Sequence, residues 1–184
     1  MKRTAFLVSA VLLVFAASIW PQTAAPKPGP EHQKIKMFVG HWTYEIEYKS
    51  GPWGPAAKTT GEYANEMTLG GFFSQGRWVE KAPWGPSRGV ETFGYNPAGK
   101  NYLQSQYTDD GGMASGEITL NGNTWSYSGV QLLAGKQYKT RGTMTFAADL
   151  MSMTAKFETS ADGIGWMPFW EAKFTKVKPA PKTK

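Results

Sequence analysis

Short runs in which apolar and polar residues alternate follow one another along most of this chain. In the first run, from His41 to Tyr48, an aromatic or aliphatic side chain occupies every second position. A period of two is typical of a β-strand with one buried face and one solvated face. The connecting segments, such as Asn121-Gly122-Asn123, contain residues that tolerate the positive φ angles of tight hairpin turns. Successive hairpins of this kind predict an antiparallel meander.

The meander predicts an all-β fold of about ten strands, preceded by a short N-terminal helix. After the first strand, the predicted strands cover residues 58–69, 72–81, 88–95, 102–108, 114–120, 124–131, 137–146, 151–159 and 166–176. An open sheet of this size would leave long edges and a bare apolar face, and both promote aggregation. We therefore expect an up-and-down antiparallel β-barrel, a fold that can hold a small ligand. A β-sandwich is the alternative.

The first residues have the layout of a secretory signal peptide, which we assign to residues 1–24. The cationic residues Lys2 and Arg3 precede an uncharged apolar run over 5–20, and small residues follow near Ala24. This run is shorter than the roughly 20 residues that span a bilayer, which argues against an uncleaved membrane anchor. The sequence therefore predicts an exported protein.

Three segments follow the predicted signal peptide. Residues 25–30 form a proline-rich linker, 31–177 form one barrel domain, and 178–184 form a basic tail rich in lysine and proline. A chain of this length can bury a single core. Because the sequence contains no cysteine, packing and hydrogen bonds must stabilise the fold without disulfides. An exported domain without disulfides favours a bacterial protein that is periplasmic or secreted.

The formal net charge of +6 does not describe the predicted barrel. Seven of the 20 basic residues lie near the two ends of the chain, at Lys2, Arg3, Lys27, Lys176, Lys178, Lys182 and Lys184. Subtracting these seven from 20 leaves 13 basic residues against 14 acidic ones, so the body of the domain is close to neutral. Nucleic-acid binding requires a basic face or groove. We therefore expect no nucleic-acid partner.

The start of the predicted barrel resembles a known class of proteins. A short helix followed by Gly40-His41-Trp42 resembles the Gly-x-Trp signature of the lipocalin and fatty-acid-binding (calycin) barrels. Together with Pro30-Glu31-His32, Phe93-Gly94-Tyr95-Asn96-Pro97 and the aromatic last strand, it resembles an uncharacterised bacterial lipocalin-like family of unknown function. The resemblance implies a calycin-like barrel with an internal cavity, whose narrow end Trp42 closes. It also implies a basic residue of the last strand stacked on that tryptophan, a place that Lys173 would take.

Few residues of the chain suit catalysis or metal binding. Histidine occurs only at His32 and His41, and neither a zinc-ligand spacing nor a nucleophile motif is present. Calycin-like barrels of the nitrobindin type bind haem through a histidine in the C-terminal strands. This chain has no histidine after His41, so haem is not expected. We therefore predict no cofactor and no metal.

Carboxylates alternate along the first two predicted strands, at Glu45, Glu47, Glu62 and Glu66. A pair of carboxylates on neighbouring strands can perform acid–base chemistry, as in glycosidases. Carboxylates on a strand exterior are more often simply solvated. We therefore assign no catalytic residue.

Aromatic residues make up 14% of the chain, a load that a well-packed aromatic core would explain. A cavity with aromatic walls and adaptable methionine side chains, the usual composition of a small-molecule site, explains it equally well. The residues predicted to line such a cavity are Trp42, Tyr44, Ile46, Trp78, Tyr127, Met144, Met153, Phe157 and Trp170.

The sequence Pro-Trp-Gly-Pro occurs twice, and each copy predicts a loop that exposes its tryptophan, Trp53 or Trp84. We expect both loops at the mouth of the barrel. A lid, a stacking platform for sugars and a protein contact are the roles open to these two residues. The alternative is that each tryptophan folds back on its own strand.

Three hypotheses on function stay open at this point. The first is an exported carrier for a small hydrophobic or amphipathic ligand. The second is a hydrolase or isomerase acting on a lipid-like or isoprenoid-like substrate, which requires an inward-facing acid with a perturbed pKa. The third is an envelope interaction module that uses the loop tryptophans. A membrane-spanning barrel is disfavoured, because lysine and glutamate occupy the outward face of the predicted strands.

Overall fold

The computed structural model describes residues 25–178. The predicted signal peptide, 1–24, and all but the first residue of the predicted tail, 178–184, lie outside the described residues. The described part contains ten strands: β1 (Gly40–Tyr48), β2 (Ala57–Thr68), β3 (Phe73–Ala82), β4 (Gly85–Asn96), β5 (Asn101–Thr108), β6 (Met113–Asn121), β7 (Thr124–Leu133), β8 (Lys136–Phe146), β9 (Ser152–Ser160) and β10 (Met167–Lys176). Their boundaries differ from the predicted ones by a few residues.

The strands close into one barrel. Each strand pairs antiparallel with its neighbours in sequence, and β1 pairs with β10, which places Tyr44 opposite Phe174. Every strand of the described ring is therefore paired on both sides, which removes the aggregation hazard of an open sheet. The all-β barrel with a short N-terminal helix is confirmed, and the sandwich alternative is wrong.

The alternation in β1 separates interior from surface as the sequence predicts. Trp42 and Tyr44 are buried, whereas His41, Glu45 and Glu47 are exposed. Successive side chains of a strand point to opposite faces of the sheet, so the apolar set faces the barrel interior.

A short helical segment fills one end of this interior. It comprises α1 (Pro30–Lys34) and the 3₁₀ helix Ile35–Phe38, and proline at the first helical position suits a helix start. Ile35 and Phe38 are buried. The Phe38 ring stacks on Phe93 with 4.3 Å between ring centres and meets the edge of Trp125 at 4.9 Å. We call this filled region the closed end.

Trp42 belongs to the closed end. Its Nε1 donates a hydrogen bond of 2.9 Å to the main-chain oxygen of Phe38, and the Nζ of Lys176 lies 4.7 Å from the indole centre. The expectation that Lys173 stacks on this ring is wrong. In the β1–β10 register, Lys176 lies opposite Trp42, whereas Lys173 lies opposite the exposed Glu45 and faces solvent.

Glycines in the strands make room for the large interior rings. The ring of Tyr44 occupies the space that a Cβ at Gly61 would need, and the ring of Phe157 does the same at Gly142. Aromatic rings laid across strand glycines let a sheet bend sharply without exposing its backbone. The large interior side chains and the curvature of the barrel therefore depend on the same glycines.

Candidate functional site

A cavity of about 650 Å³ occupies the barrel interior away from the closed end. Phe38 forms its floor. At the opposite end it is bounded by the β1–β2, β3–β4, β5–β6 and β7–β8 connections, for example at Gly54, Trp84, Gly111 and Gly135. We call this side the mouth.

The cavity walls consist mainly of aromatic and aliphatic side chains. The structure brings together eight of the nine predicted lining residues: Tyr44, Ile46, Trp78, Tyr127, Met144, Met153, Phe157 and Trp170. Trp42 is not among the lining residues, because it packs at the closed end beneath the cavity. Ligand contact by these residues stays a prediction.

The two loop tryptophans both border the mouth, but their environments differ. Trp84 is 58% exposed at the tight turn between β3 and β4, and its ring meets the edge of Tyr48. Trp53 is half-buried; its Nε1 donates a 2.9 Å hydrogen bond to the Lys49 oxygen, and its ring packs against Phe169. The expectation of an exposed tryptophan therefore holds for Trp84 and is wrong for Trp53.

Two carboxylates face the cavity, Glu80 on β3 and Glu91 on β4. Glu80 is only 4% exposed and accepts a hydrogen bond from the Tyr48 hydroxyl at 3.3 Å. Glu91 accepts one from the Gln104 amide at 2.8 Å. Burial raises the pKa of both carboxyl groups, and these hydrogen bonds oppose the shift.

Buried hydroxyl groups lie near these carboxylates. Burial raises the pKa of Tyr44, Tyr48 and Tyr63, and the negative charge of a neighbouring glutamate adds to the effect in each case. The Tyr44 hydroxyl donates to the main-chain oxygen of Val79 at 3.2 Å. These tyrosines are therefore neutral hydrogen-bond donors at physiological pH.

A different polar group lines the far wall. Tyr127 and Gln131 on β7 and Thr140 on β8 are each at least nine-tenths buried. The Tyr127 hydroxyl, the Gln131 amide nitrogen and the Thr140 hydroxyl have no hydrogen-bond partner among the described residues. Burial raises the pKa of Tyr127 to about 12. In the ring of ten strands, β8 lies diametrically across from β3, so Thr140 and Glu80 belong to opposite walls of the cavity.

Unpartnered buried polar atoms also occur outside the cavity lining, at Thr59, Asn65, Ser74, Asn101 and Trp125. Within the lining, the three on β7 and β8 share one wall. The residues that carry these three atoms line the cavity, while the atoms themselves are covered by neighbouring protein atoms.

The surface carboxylates of the first two strands do not belong to this site. Glu45, Glu47, Glu62 and Glu66 are not among the cavity-lining residues, and Glu45 and Glu47 are exposed on the barrel exterior. The sequence interpretation missed Glu80 and Glu91, although a signal was present: Glu80 shares a strand face with Trp78, and Glu91 shares one with Phe93. An acidic residue on an otherwise apolar face is the pattern that identifies such a group.

Phe169 was also missed by the alternation. The β9–β10 register shifts between Pro168 and Trp170, and both Phe169 and Trp170 line the cavity. A bulge breaks the period of two, so counting every second residue finds only one of the two rings.

Metal ligands and long apolar helices are both missing from the described part of the chain. Between residues 25 and 178, no group of three histidine, cysteine, aspartate or glutamate side chains is arranged to hold a metal ion. Over the same residues, no helix combines the length and apolar character required to cross a membrane.

The barrel is closed and antiparallel. A helical segment and the Gly-x-Trp tryptophan, Trp42, fill one end, and the other end is hollow. These features define a lipocalin-like protein. The chain belongs to the family described as "Protein of unknown function (DUF1579)", which matches residues 27–176. A comparison with curated proteins gives no match.

Solved structures with the same fold are distant in sequence. The chain is similar to the crystal structure of Rv2717c from M. tuberculosis, with a TM-score of 0.61 and 11% identity over 82% of this chain and 99% of that one. It is also similar to the S-type phycobiliprotein lyase CPES from Guillardia theta, with a TM-score of 0.55 and 10% identity over 82% of this chain and 94% of that one. These likenesses establish the shared barrel fold.

Proposed function

We propose that this protein binds a small hydrophobic or amphipathic ligand inside the barrel. The observation that carries the proposal is the cavity of about 650 Å³, which falls within the roughly 300–1,000 Å³ range of small-molecule sites. Its aromatic walls with a few convergent polar groups also match the composition of such sites. A carrier or binding protein is the function that this geometry supports best.

The unpartnered groups of the far wall support a ligand with polar atoms as well as an apolar body. A buried polar group without a partner costs about 1–3 kcal/mol. Tyr127, Gln131 and Thr140 all line the cavity, and each carries one such atom beneath its surface. A ligand that displaces the covering side chains and hydrogen-bonds these atoms recovers part of this cost, which favours an amphipathic ligand over a pure hydrocarbon.

Native mass spectrometry of the purified protein tests for a co-purified ligand, and titration of tryptophan fluorescence measures binding. Trp78 and Trp170 line the cavity and report on occupancy. Ala114→Trp on β6 places a large ring in the cavity, whereas Ser115→Trp places the same ring on the exposed outer face of that strand. We expect Ala114→Trp to lose at least tenfold in affinity and Ser115→Trp to bind normally. Equal binding by both variants would contradict the proposal.

A second candidate function is catalysis on a lipid-like or isoprenoid-like substrate. The inward-facing Glu80 and Glu91, whose pKa values burial raises, are the kind of groups this hypothesis requires. One of the similar structures is described as a lyase. A carboxylic acid with a raised pKa keeps its proton to a higher pH than an ordinary one and can deliver it to a bound substrate.

Incubation with prenyl alcohols and fatty acyl esters, followed by mass spectrometry of the products, tests this second candidate. Catalysis by Glu91 predicts conversion by the wild type and loss of conversion in Glu91→Gln with binding retained. Conversion that is unchanged in both Glu80→Gln and Glu91→Gln would exclude these carboxylates as the acid.

We further propose that the protein is exported to the bacterial periplasm or secreted. The support is the charge and hydropathy pattern of residues 1–24. Expression of the full chain in a bacterium, followed by cell fractionation and intact-mass analysis, tests it. The expected product begins at Ala25 and appears outside the cytoplasm. An intact N-terminus in the cytoplasmic fraction would contradict export.

A further inference from the structure

The ionisable groups that line the cavity are of one sign. Glu80 and Glu91 lie on its wall and Asp110 lies at its mouth, while no lysine, arginine or histidine of residues 25–178 is among the lining residues. The basic group described at the closed end, Lys176, is engaged with the Trp42 ring outside the cavity. An ionic group of a ligand inside the cavity therefore meets carboxylates.

The two carboxylates lie on either side of a tryptophan. In the β3–β4 register, Glu80 pairs with Ser87 near the mouth, Trp78 pairs with Gly89, and Glu91 pairs with Gly76 deeper in the barrel. The indole of Trp78 covers Gly89, because a Cβ at that glycine would collide with the ring. Along the wall the order is thus carboxylate, indole, carboxylate. We call Glu80, Trp78 and Glu91 the acidic wall.

These groups share one chemical preference. A carboxylate removed from water is destabilised unless a positive charge or hydrogen-bond donors compensate it. The face of a tryptophan ring attracts cations, and an ammonium group over it gains about 0.5–2 kcal/mol. A carboxylate ligand would instead place like charges together in a poorly hydrated space, which is strongly unfavourable.

We propose that the acidic wall recognises the ammonium group of an amphipathic organic amine, and that the cavity discriminates against amphiphiles with a carboxylate head. This inference rests on the proposed function, since it assigns the charge of the ligand that the cavity binds. The apolar body of the amine packs against the aromatic walls. The cationic head pairs with Glu80 or Glu91 and stacks on Trp78.

Three probes with the same apolar tail and different head groups test the proposal at pH 7.5: decylamine and decanoate below their micelle concentrations, and 1-decanol below its solubility limit. Binding is measured by titration calorimetry and by tryptophan fluorescence. We expect decylamine to bind at least tenfold more tightly than decanol, and decanoate to bind more weakly than decanol. A tenfold ratio corresponds to about 1.4 kcal/mol.

Substitutions test whether the acidic wall causes the preference for decylamine. Glu80→Gln combined with Glu91→Gln keeps the shape of the wall and removes its charge, so the affinity for decylamine should fall to that for decanol. Glu45→Gln removes an exposed carboxylate of the barrel exterior and should leave the preference unchanged. Circular dichroism and thermal unfolding confirm that each variant is folded. The affinity for decanol should be the same in all three proteins.

The outcomes separate this inference from the proposed function. Binding of all three probes with equal affinity, or tighter binding of decanoate, would overturn the amine preference and leave a ligand-binding barrel. A preference for decylamine that survives the double substitution would overturn the role of the acidic wall. Failure of all three probes to bind would contradict both proposals.

Discussion

The closed end and the cavity are built from the same kinds of side chain, yet only one of them is filled. At the closed end, Phe38 from the helical segment stacks on Phe93 and packs against Trp125 and Phe146. On the cavity side of Phe38, equally large rings surround a volume of about 650 Å³. Aromatic composition therefore does not distinguish a core from a cavity. What distinguishes them is whether a second element enters the barrel and fills the space.

Buried polar groups at the closed end hold the helical segment, although the Trp125 indole nitrogen there has no hydrogen-bond partner among the described residues. At the closed end, the Trp42 indole donates to Phe38, and the Tyr102 hydroxyl donates to the Glu31 carboxylate at 2.6 Å. Around the cavity, Tyr127, Gln131 and Thr140 are buried with polar atoms that find no partner among the described residues. Two polar groups of the closed end therefore hold the helical segment in place. Unpartnered polar atoms occur in both regions, so hydrogen bonding alone does not distinguish them.

The largest expected effect comes from removing the plug ring. Phe38→Ala deletes a buried ring that packs against Phe93, Trp125 and Phe146 and enlarges the cavity above it, so we expect a loss of about 3–5 kcal/mol in the free energy of unfolding. Trp78→Ala removes a larger side chain that borders open volume, and we expect a loss of half that or less, because fewer packed atoms surround it. Urea denaturation measures both. Equal losses would show that the two regions are packed alike.

A smaller effect is expected at the glycines beneath the cavity rings. An alanine methyl at Gly61 would collide with the Tyr44 ring and the main-chain oxygen of Val79. We expect Gly61→Ala to cost about 1–3 kcal/mol, the usual range for overpacking. A methyl group at Gly165 would meet no heavy atom of the described residues within 4 Å, so Gly165→Ala should change stability by less than about 0.5 kcal/mol. Thermal unfolding distinguishes the two. A neutral Gly61→Ala would show that the ring moves aside freely.

The sequence predicts most of the fold because alternation and turn residues are local signals. The run from His41 to Tyr48 states which residues face inward, and the same count succeeds for Trp78 and Met153. It fails where the backbone departs from the simple period, as at the bulge before Trp170 that brings Phe169 inward. It also fails for Lys173, because the residue that reaches Trp42 depends on the β1–β10 register. The register between two strands that are far apart in sequence cannot be read from the local pattern of either strand.

The candidate site was less predictable than the fold for a related reason. The sequence can place Trp42 on an inner face, but only the path of the helical segment decides that this ring lies below the cavity rather than in its wall. Whether Glu80 and Glu91 can contact a ligand likewise depends on the cavity beside them. In a filled interior, the same carboxylates would contact only other side chains. An empty volume is a property of the assembled barrel.

The cavity carboxylates predict a dependence of stability on pH. Burial raises the pKa of Glu91 above its ordinary value of 4.5, so the folded state binds a proton more tightly than the unfolded state. The stabilisation is present at low pH and is lost as the pH rises from about 4.5 through the raised folded-state value. Each unit of the shift corresponds to about 1.4 kcal/mol.

Glu91→Gln should therefore remove part of this decline and raise the stability at pH 7 relative to that at pH 4, compared with the wild type. Urea denaturation across this pH range measures the change. Glu45→Gln, at an exposed position, provides the matched control and should leave the profile as it is. A profile that is identical in Glu91→Gln and in the wild type would show that this carboxylate is hydrated in the folded protein.

The smallest expected effect tests which basic residue supports the closed end. The ammonium of Lys176 lies 4.7 Å from the centre of the Trp42 indole, and burial lowers its pKa. A cation over a tryptophan ring contributes about 0.5–1 kcal/mol at a partly exposed site, so Lys176→Gln should lower the free energy of unfolding by about that amount. Lys173→Gln, on the exposed face of the same strand, should have almost no effect.

Combining Lys176→Gln with Trp42→Phe measures the coupling between the two residues. Additive losses would show that the ring and the ammonium act independently, whereas a smaller combined loss would assign the stabilisation to their contact.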